Sequence, residues 1–252
     1  MHRWAGRVAV VTGASSAIGA AITQQLVTNA VNVVGMARRV EKVQDLASIL
    51  KSEPGKLYPI KCDITKDQEL KDTFSWVKDT LGGVDLLINN AGTNKPHSLT
   101  DGPDEVFKRI VDVNILALAR CTRLAIQSMR ERGVDDGHIL HINSGWCTAL
   151  QLCSSIVGHF IHPGVLMYSA SKHAVTVMTE GLRRELWKEK SRIRVTSLSP
   201  GLACTHLPYE EAIGEYSSLE PADIAKAAIY ALSAPPHVQI HELMVRPVPG
   251  TS

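Results

Sequence analysis

The sequence predicts an α/β fold in which a parallel sheet is covered by helices on both faces. Three observations support this prediction. Short apolar stretches alternate with helix-length segments along the chain, as is typical of parallel strands joined by crossover helices. The chain has 252 residues, 44% of them hydrophobic, so it can bury one large core. Glycine-rich and polar motifs follow several strand-like stretches. In such a sheet, ligands bind beyond the C-terminal ends of the strands.

Seven strand-like stretches occur in order along the chain. They are Val8–Thr12 and residues 31–37, 57–62, 84–89, 138–143, 193–199 and 242–247. Apolar spacing predicts a helix from about Ile18 and long helices over residues 104–132 and 168–190. No repeat, low-complexity tract or linker divides the chain, and α/β folds of this length commonly form one domain. We therefore expect a single domain over residues 1–252.

A tight turn of small residues, TGASSAIG, joins the first strand-like stretch to the first helix. Gly13 allows a sharp turn, Gly19 allows the helix to approach the strand, and free N–H groups at the helix start attract a pyrophosphate. The dinucleotide fingerprint has three glycines, and Ala17 occupies the middle position here. A lone glycine turn can also join any strand to any helix. The turn is therefore a candidate nucleotide site that needs support from other motifs.

The end of the second strand-like stretch bears on the choice of dinucleotide. A site selective for NAD places an acidic residue there to bind the ribose hydroxyls, whereas this chain has Ala37, Arg38 and Arg39. Guanidinium groups bind a 2′-phosphate through paired hydrogen bonds. The pattern favours NADP(H) as the cofactor. In the alternative interpretation the arginines, Arg39 above all, are solvated surface charges.

Tyr168 and Lys172 stand four residues apart in a predicted helix, so both side chains can project from one face. A tyrosine phenol has a pKa near ~10, and an ammonium group one turn away favours the phenolate and lowers that pKa. Such a pair can run acid–base chemistry at neutral pH. The same spacing also occurs on ordinary helix surfaces, so this interpretation depends on the accompanying motifs.

Charge and composition argue against several other classes of protein. The net charge is +2 and no basic stripe is present, so we expect no nucleic-acid partner. Five cysteines without a CxxC pair indicate reduced thiols, and ten histidines show no metal-binding spacing, so we expect no metal. No apolar stretch approaches the roughly 18 residues that span a bilayer, and none resembles a signal peptide. We expect a cytoplasmic protein without an integral membrane segment.

Five motifs stand in the order found in short-chain dehydrogenases/reductases. They are TGASSAIG, NNAG at 89–92, Asn114 in VDVN, YSASK around Tyr168, and SPG at 199–201 followed by Thr205. On these motifs the chain resembles that family over essentially its whole length. The stretches GHILHINS, AVTVMTEGLRRELW and HVQIHELMVRP further resemble insect farnesol dehydrogenase-like members and vertebrate relatives that act on steroid ketones. The resemblance implies a Rossmann-like, doubly wound sheet and the interconversion of alcohols and carbonyls.

The resemblance also implies roles for individual residues. Tyr168 would exchange a proton with the substrate oxygen, Lys172 would bind the nicotinamide ribose and lower the pKa of the tyrosine, and Asn114 would hold a water in the proton relay. Asp63 would contact the adenine, and residues 89–92 would border its ribose. The cofactor-binding set implied in this way is Gly13, Ser15, Ser16, Ala17, Ile18, Gly19, Arg38, Arg39, Asp63, Asn90, Ala91, Gly92, Tyr168, Lys172, Pro200, Gly201 and Thr205.

Two serines fit different parts of the family pattern for the catalytic serine. The family places it at the end of the fifth strand and at a fixed short distance before the tyrosine. Ser144 ends the strand but lies 24 positions before Tyr168, whereas Ser155 lies 13 positions before it and precedes IVGH. Removing residues 145–155 would leave a normal-looking family segment, so we interpret them as an insertion: a substrate-side loop or the trace of an altered transcript. We favour Ser155 and keep Ser144 as the alternative.

Apolar residues around the predicted site indicate a hydrophobic substrate, such as a prenyl alcohol, its aldehyde or a steroid ketone. These residues are Phe160, Ile161, Val165, Leu207 and Tyr209, and core packing is the alternative for several of them. Family members pair through the two long helices, which implies a homodimer or homotetramer. We therefore expect an NADP(H)-dependent alcohol dehydrogenase or carbonyl reductase. The alternative is a nucleotide-binding protein of the same fold whose catalysis is impaired by the insertion and by Ala17.

Overall fold

The computed structural model describes residues 1–143, 164–201, 203 and 218–248. The strands of this part of the chain are β1 (Val8–Thr12), β2 (Asn32–Ala37), β3 (Lys56–Lys61), β4 (Leu86–Asn89), β5 (His138–Ile142), β6 (Arg194–Pro200) and β7 (Glu242–Val245). Its α-helices are α1 (Ala17–Thr28), α2 (Val40–Ile49), α3 (Asp67–Leu81), α4 (Asp104–Val111), α5 (Leu118–Glu131), α6 (Leu166–Lys188) and α7 (Pro221–Ser233). A short 3-10 helix, His2–Trp4, precedes β1, and a π-helical segment, Asp112–Ala117, joins α4 to α5.

The seven strands form one parallel sheet in the order β3-β2-β1-β4-β5-β6-β7. From β1 the chain proceeds outward through β2 to β3, and it then returns to place β4 on the other side of β1. Parallel strands need crossover connections, which here put helices on both faces. A crevice forms at such a reversal, beyond the C-terminal ends of the strands. The predicted fold class, a Rossmann-like doubly wound sheet, is confirmed.

Helices cover the sheet on both faces and bury its central strands completely. Successive side chains of a strand point to opposite faces. Ala9 and Val11 of β1 join a core with α1 and α7, whereas Val8 and Val10 join a core with α3 and α5. Burial of a valine side chain contributes about 1.5–3 kcal/mol relative to exposure. The central strand is thus a rigid base for the turn that follows it.

The N-terminal segment is bonded to the end of the sheet that lies opposite the crevice, where the strands begin. Trp4 is fully buried, and its Nε1 donates to the carbonyl oxygen of Leu232 at 2.8 Å. Arg7, just before β1, donates two hydrogen bonds of 2.8 and 2.7 Å to Asp136, just before β5. This pairing lowers the pKa of the Asp136 carboxyl to about 2. The starts of β1 and β5 are therefore joined by side chains as well as through β4.

The observed helices agree closely with the predicted ones except at one segment. The first helix begins at Ala17 rather than Ile18, and the helix predicted over residues 168–190 is α6. The helix predicted over residues 104–132 is interrupted by the π-helical segment Asp112–Ala117, which contains Asn114. π-Helical segments are rare and often occur at functional sites.

Two further findings concern the described part of the chain. None of its helices is long and apolar enough to cross a membrane. Within the same residues, no group of three or more histidine, cysteine, aspartate or glutamate side chains is arranged to hold a metal ion.

Candidate active site

A cleft of about 270 Å³ opens beyond the C-terminal ends of the strands, at the reversal in strand order. Its walls come from the segments that follow β1 to β5 and from α6. The predicted residues that line it are Gly13, Ser15, Ser16, Ala17, Ile18, Arg38, Arg39, Asp63, Asn90, Ala91, Gly92, Tyr168 and Lys172. Motifs that are far apart in the sequence therefore meet in one cleft.

The turn after β1 is held in place by Asn90. Gly13 has a φ of 69°, a left-handed conformation that glycine adopts without strain. The Asn90 Nδ2 donates to the carbonyl oxygens of Thr12 at 3.0 Å and Gly13 at 3.1 Å. A Cβ atom at Gly13 would also lie 3.0 Å from the Cα of Ala91. The segment after β4 thus fixes the path of the turn after β1.

The N-terminus of α1 faces the cleft with free N–H groups. Ser16 caps the helix, and its Oγ accepts the N–H of Gly19 at 3.3 Å. The N–H groups of Ser15, Ala17 and Ile18 have no hydrogen-bond partner among the described residues. They combine with the positive end of the helix dipole, which is a favourable environment for a pyrophosphate. The turn therefore fits the dinucleotide that the sequence predicts.

Positive charge is concentrated at the end of the cleft that is formed by the segments after β2 and β3. Arg38 and Arg39 are exposed, and with Arg109 of α4 they line this end of the cleft. Burial raises the pKa of the Asp63 carboxyl, but two hydrogen bonds from Thr65 and the charges of Arg38 and Arg109 outweigh burial and lower it. The lining of this end of the cleft includes three guanidinium groups and one carboxylate, an excess of positive charge that suits an anionic ligand.

Tyr168 and Lys172 are buried together on one turn of α6, being 5% and 7% exposed. The Lys172 Nζ lies 5.6 Å from the centre of the Tyr168 ring and donates to the carbonyl oxygen of Ile142 at 3.0 Å. Burial lowers the pKa of the Lys172 ammonium to about 7. The buried lysine of the cofactor-free protein therefore loses its proton more easily than the ordinary ammonium group that the sequence suggests.

Asn114 lies behind the cleft in the π-helical segment and is 2% exposed. Its Oδ1 accepts the N–H of Thr93 at 2.9 Å, and its Nδ2 donates to the carbonyl oxygen of Thr93 at 2.9 Å. The same Nδ2 donates to the Oγ of Ser171 at 3.0 Å. The side chain thus joins the loop after β4 to α6, between Tyr168 and Lys172.

Gly19, Pro200 and Gly201 do not line the cleft, although the family resemblance includes them in the cofactor-binding set. Gly19 is packed beneath the turn, where a Cβ atom would approach the carbonyl oxygen of Gly13 to 2.3 Å. Its role is to allow α1 close to β1. Pro200 and Gly201 are buried at the end of β6. Ser144, Ser155, Thr205 and the suspected insertion at 145–155 lie outside the described residues.

Several residues that line the cleft were not identified from the sequence, and three of them, Arg109, Asn94 and Asn143, have side chains suited to binding a polar ligand. The Oδ1 atoms of Asn94 and Asn143 are buried and have no hydrogen-bond partner among the residues that the structure describes. Unpartnered amide oxygens at a cleft wall can accept hydrogen bonds from a ligand or from water. None of the three belongs to a motif with a fixed spacing, so only the folded chain reveals them.

Comparisons with known proteins agree with this geometry. The family model for short chain dehydrogenase matches residues 7–212. Dehydrogenase/reductase SDR family member 11 from Gallus gallus is 46% identical to the chain, covering 98% of each. Farnesol dehydrogenase from Aedes aegypti is also 46% identical, again with 98% of each covered.

Solved structures give the same result. A metagenomic short-chain oxidoreductase (SDR) in complex with NADP is 27% identical with a TM-score of 0.80, covering 97% of this chain and 98% of its own. The alcohol dehydrogenase from Thermococcus sibiricus complexed with 5-hydroxy-NADP is 25% identical with a TM-score of 0.81, covering 98% of each. The similarity thus extends from end to end of the chain, in sequence as well as in fold. The chain belongs to the short-chain dehydrogenase/reductase family of oxidoreductases.

Proposed function

We propose that the chain is an NADP(H)-dependent oxidoreductase that interconverts an alcohol and a carbonyl on a hydrophobic substrate. One observation carries the proposal: Tyr168 and Lys172 are buried on one turn of α6 in the same cleft as the N-terminus of α1. A buried phenol beside a buried amine is suited to proton exchange near neutral pH. When bound, the nicotinamide would supply the hydride chemistry.

Support for NADP(H) over NAD(H) comes from the charge at the end of β2. Arg38 and Arg39 follow the strand where an NAD site has a carboxylate. Arg109 adds a third guanidinium to the same end of the cleft. The two solved structures named above were determined with NADP or a derivative of it. A 2′-phosphate would be bound by Arg38, with Arg39 and Arg109 contributing to the local charge.

The proposed roles of the catalytic residues come from the family resemblance, and the position of Tyr168 and Lys172 in the wall of the cleft supports them. Tyr168 exchanges a proton with the substrate oxygen, and Lys172 binds the nicotinamide ribose and favours the phenolate. An anionic nucleotide in the cleft would in turn favour the charged form of Lys172. Asn114 holds the loop after β4 and a water of the proton relay. Ser155, with Ser144 as the alternative, would orient the substrate oxygen.

The proposed substrate is an apolar alcohol or ketone, such as a prenyl alcohol, its aldehyde or a steroid ketone. Val165 is 9% exposed and packs against Tyr168, so the proton donor has an apolar neighbour. The name of the Aedes aegypti relative, farnesol dehydrogenase, agrees with such a substrate. We further propose that the chain forms one domain, assembles into a homodimer or homotetramer, and resides in the cytoplasm.

An assay of the purified full-length protein tests this proposal. The protein is mixed with NADPH or NADP⁺ and a panel of prenyl alcohols, prenyl aldehydes and steroid ketones, and the absorbance of the reduced nicotinamide is followed. We expect turnover of at least one apolar substrate, faster with NADP(H) than with NAD(H). Tight binding of NADPH without turnover of any substrate would instead support the alternative, a nucleotide-binding protein with impaired catalysis.

A further inference from the structure

A chain of buried hydrogen bonds connects the catalytic turn of α6 to the loop after β4. It runs from the backbone of Thr93 through the amide of Asn114 and the hydroxyl of Ser171 to the carbonyl oxygen of Tyr168. The Ser171 Oγ donates to the Tyr168 carbonyl at 2.7 Å. Asn114 and Ser171 are 2% and 1% exposed, so water does not compete for these bonds.

The direction of each bond in this chain is fixed by chemistry. The N–H of Thr93 can only donate, so the Asn114 atom that receives it is the oxygen. The Asn114 nitrogen therefore faces the Thr93 carbonyl and Ser171, and each of its two N–H groups has one acceptor. Ser171 must accept from Asn114, so its own proton goes to the carbonyl oxygen of Tyr168. No other arrangement gives a partner to the backbone of Thr93, the amide of Asn114, the hydroxyl of Ser171 and the carbonyl of Tyr168 at once.

The position of Ser171 in α6 connects these hydrogen bonds to the residues of the proposed reaction. Ser171 lies between Tyr168 and Lys172 in the sequence. In an α-helix, the carbonyl of Tyr168 is also the acceptor for the N–H of Lys172. The Ser171 hydroxyl therefore donates to the same backbone carbonyl that joins Tyr168 to Lys172 in the helix. A small displacement of that turn would move both of them relative to the loop after β4.

We propose that Ser171 is a positioning residue, whose hydroxyl holds the Tyr168–Lys172 turn in register with Asn114 and with the loop that it binds. This inference rests on the proposed function, because the turn matters only if Tyr168 exchanges the proton. Ser171 does not line the cleft and acts through its two neighbours. Displacement of a reacting group by about 1 Å can cost on the order of 100-fold in rate.

Ser171→Ala tests the proposal, with Ser169→Ala as the matched control. Ser169 is a neighbouring serine on the same helix, 2% exposed, and its Oγ donates to the carbonyl oxygen of Val165 at 3.1 Å. The hydrogen bond of the Ser169 side chain stays within the first turn of α6 and does not involve Asn114. We expect Ser171→Ala to lower kcat roughly 10-fold, because one buried N–H of Asn114 loses its acceptor and the turn loosens. The affinity for NADPH, measured by fluorescence titration, stays within about twofold because the cleft lining is unchanged. Ser169→Ala retains the wild-type kcat.

A double-mutant cycle on the cofactor-free protein separates this inference from the proposed function. The unfolding free energies of Ser171→Ala, Asn114→Ala and the double variant should be non-additive, since the two side chains contact each other. Ser169→Ala and Asn114→Ala should be additive. An additive cycle for Ser171, or equal kcat for the two serine variants, would overturn the inference. If the wild-type protein has no turnover at all, the proposed function fails, and the cycle still decides whether Ser171 and Asn114 are coupled.

Discussion

At the scale of single residues, the site depends on how far each charged group is removed from water. Lys172 is almost fully buried and its Nζ donates to a backbone carbonyl rather than to a carboxylate. Arg38 is exposed, so an anion in the cleft can reach its guanidinium group directly. Burial therefore lowers the pKa of Lys172. The contribution of Arg38 depends instead on the anion that binds to it. Two predictions follow from this difference.

Lys172→Met should abolish turnover and change how stability depends on pH. The pKa of Lys172 is lowered to about 7 in the folded protein, while in the unfolded chain it is near ~10.4. Between these two values the unfolded state binds more protons than the folded state. Burial of Lys172 therefore destabilises the protein most below about pH 7, and this cost becomes smaller as the pH rises. We expect the stability of the variant relative to wild type to be greater at pH 6 than at pH 9.5, by on the order of 3 kcal/mol. Urea unfolding of both proteins at the two pH values measures the difference in their free energies of unfolding. The same difference at both pH values would contradict the burial of a titrating lysine.

Arg38→Ala should weaken NADPH roughly 10- to 100-fold and leave NADH nearly unchanged, because a charge-assisted contact to the 2′-phosphate is lost. Arg39→Ala is the matched control and should have a smaller effect, since the sequence leaves its role open. Fluorescence titrations of both cofactors provide the affinities. Equal affinity of the wild-type protein for NADH and NADPH would contradict the assignment of cofactor.

The sequence predicts most residues of the cleft, because the motifs that supply them have fixed spacing. Asn114, behind the cleft, was predicted in the same way: its place in VDVN identifies it as a candidate, although not its contacts. The bonds from Asn114 to Thr93 and Ser171 depend on how the π-helical segment packs against α6, which no local pattern encodes. Arg109 was missed for a similar reason, since nothing in the sequence separates it from a solvated arginine.

At the scale of elements, the glycine turn after β1 shows which backbone positions the site depends on. Gly19→Ala would place a Cβ atom 2.3 Å from the Gly13 carbonyl oxygen and 2.5 Å from the Asn90 Nδ2. Both contacts are to atoms held by other bonds, so α1 must move away from the turn. We expect a loss of about 1–3 kcal/mol in the free energy of unfolding. The affinity for NADPH should fall as well, because the free N–H groups of α1 are displaced.

Gly181→Ala is the matched control for this prediction. Gly181 lies within α6, and a Cβ atom there would have no neighbour within 4 Å. Alanine in an open helical position should stabilise the protein by about 0.5–1 kcal/mol through its higher helix propensity. Because Gly181 lies one turn after Val177 on the helix that we expect to pair, the two stabilities are compared only if light scattering gives both variants the wild-type mass. If both variants lose the same stability, the close packing at Gly19 is not the cause.

The elements themselves were predicted from periodicity, with errors at their ends. The strand predicted at 242–247 ends at Val245, and the long helix over residues 104–132 is divided by the π-helical segment. A strand end depends on the partner strand with which it pairs, and a π-helical segment differs from an α-helix by a shift of hydrogen bonds that leaves side-chain periodicity nearly intact. The sequence predicts a doubly wound parallel sheet but not the order of its strands, because no single segment encodes which strands become neighbours.

At the scale of the whole molecule, the apolar surface of α6 bears on assembly. Val177 on this helix is 72% exposed, and α6 is one of the two helices through which the sequence predicts pairing. Val177→Asp should shift the protein toward smaller species, because a carboxylate in a helix interface must be desolvated without a partner. Ile49→Asp is the matched control: Ile49 is equally exposed at 72% but ends α2, on another face. Light scattering at micromolar concentration gives the masses, and a wild-type protein that is a stable monomer would contradict the prediction of an oligomer.

The most direct test of the central claim is the activity of Tyr168→Phe. This variant keeps the aromatic ring that packs against Val165 and removes the hydroxyl that would exchange the proton. Turnover of NADPH with the best substrate of the panel should fall by on the order of 1,000-fold, while the affinity for NADPH stays near that of wild type, because proton exchange belongs to the chemical step. Retained turnover in this variant would show that another group supplies the proton and that Tyr168 is not the catalytic residue.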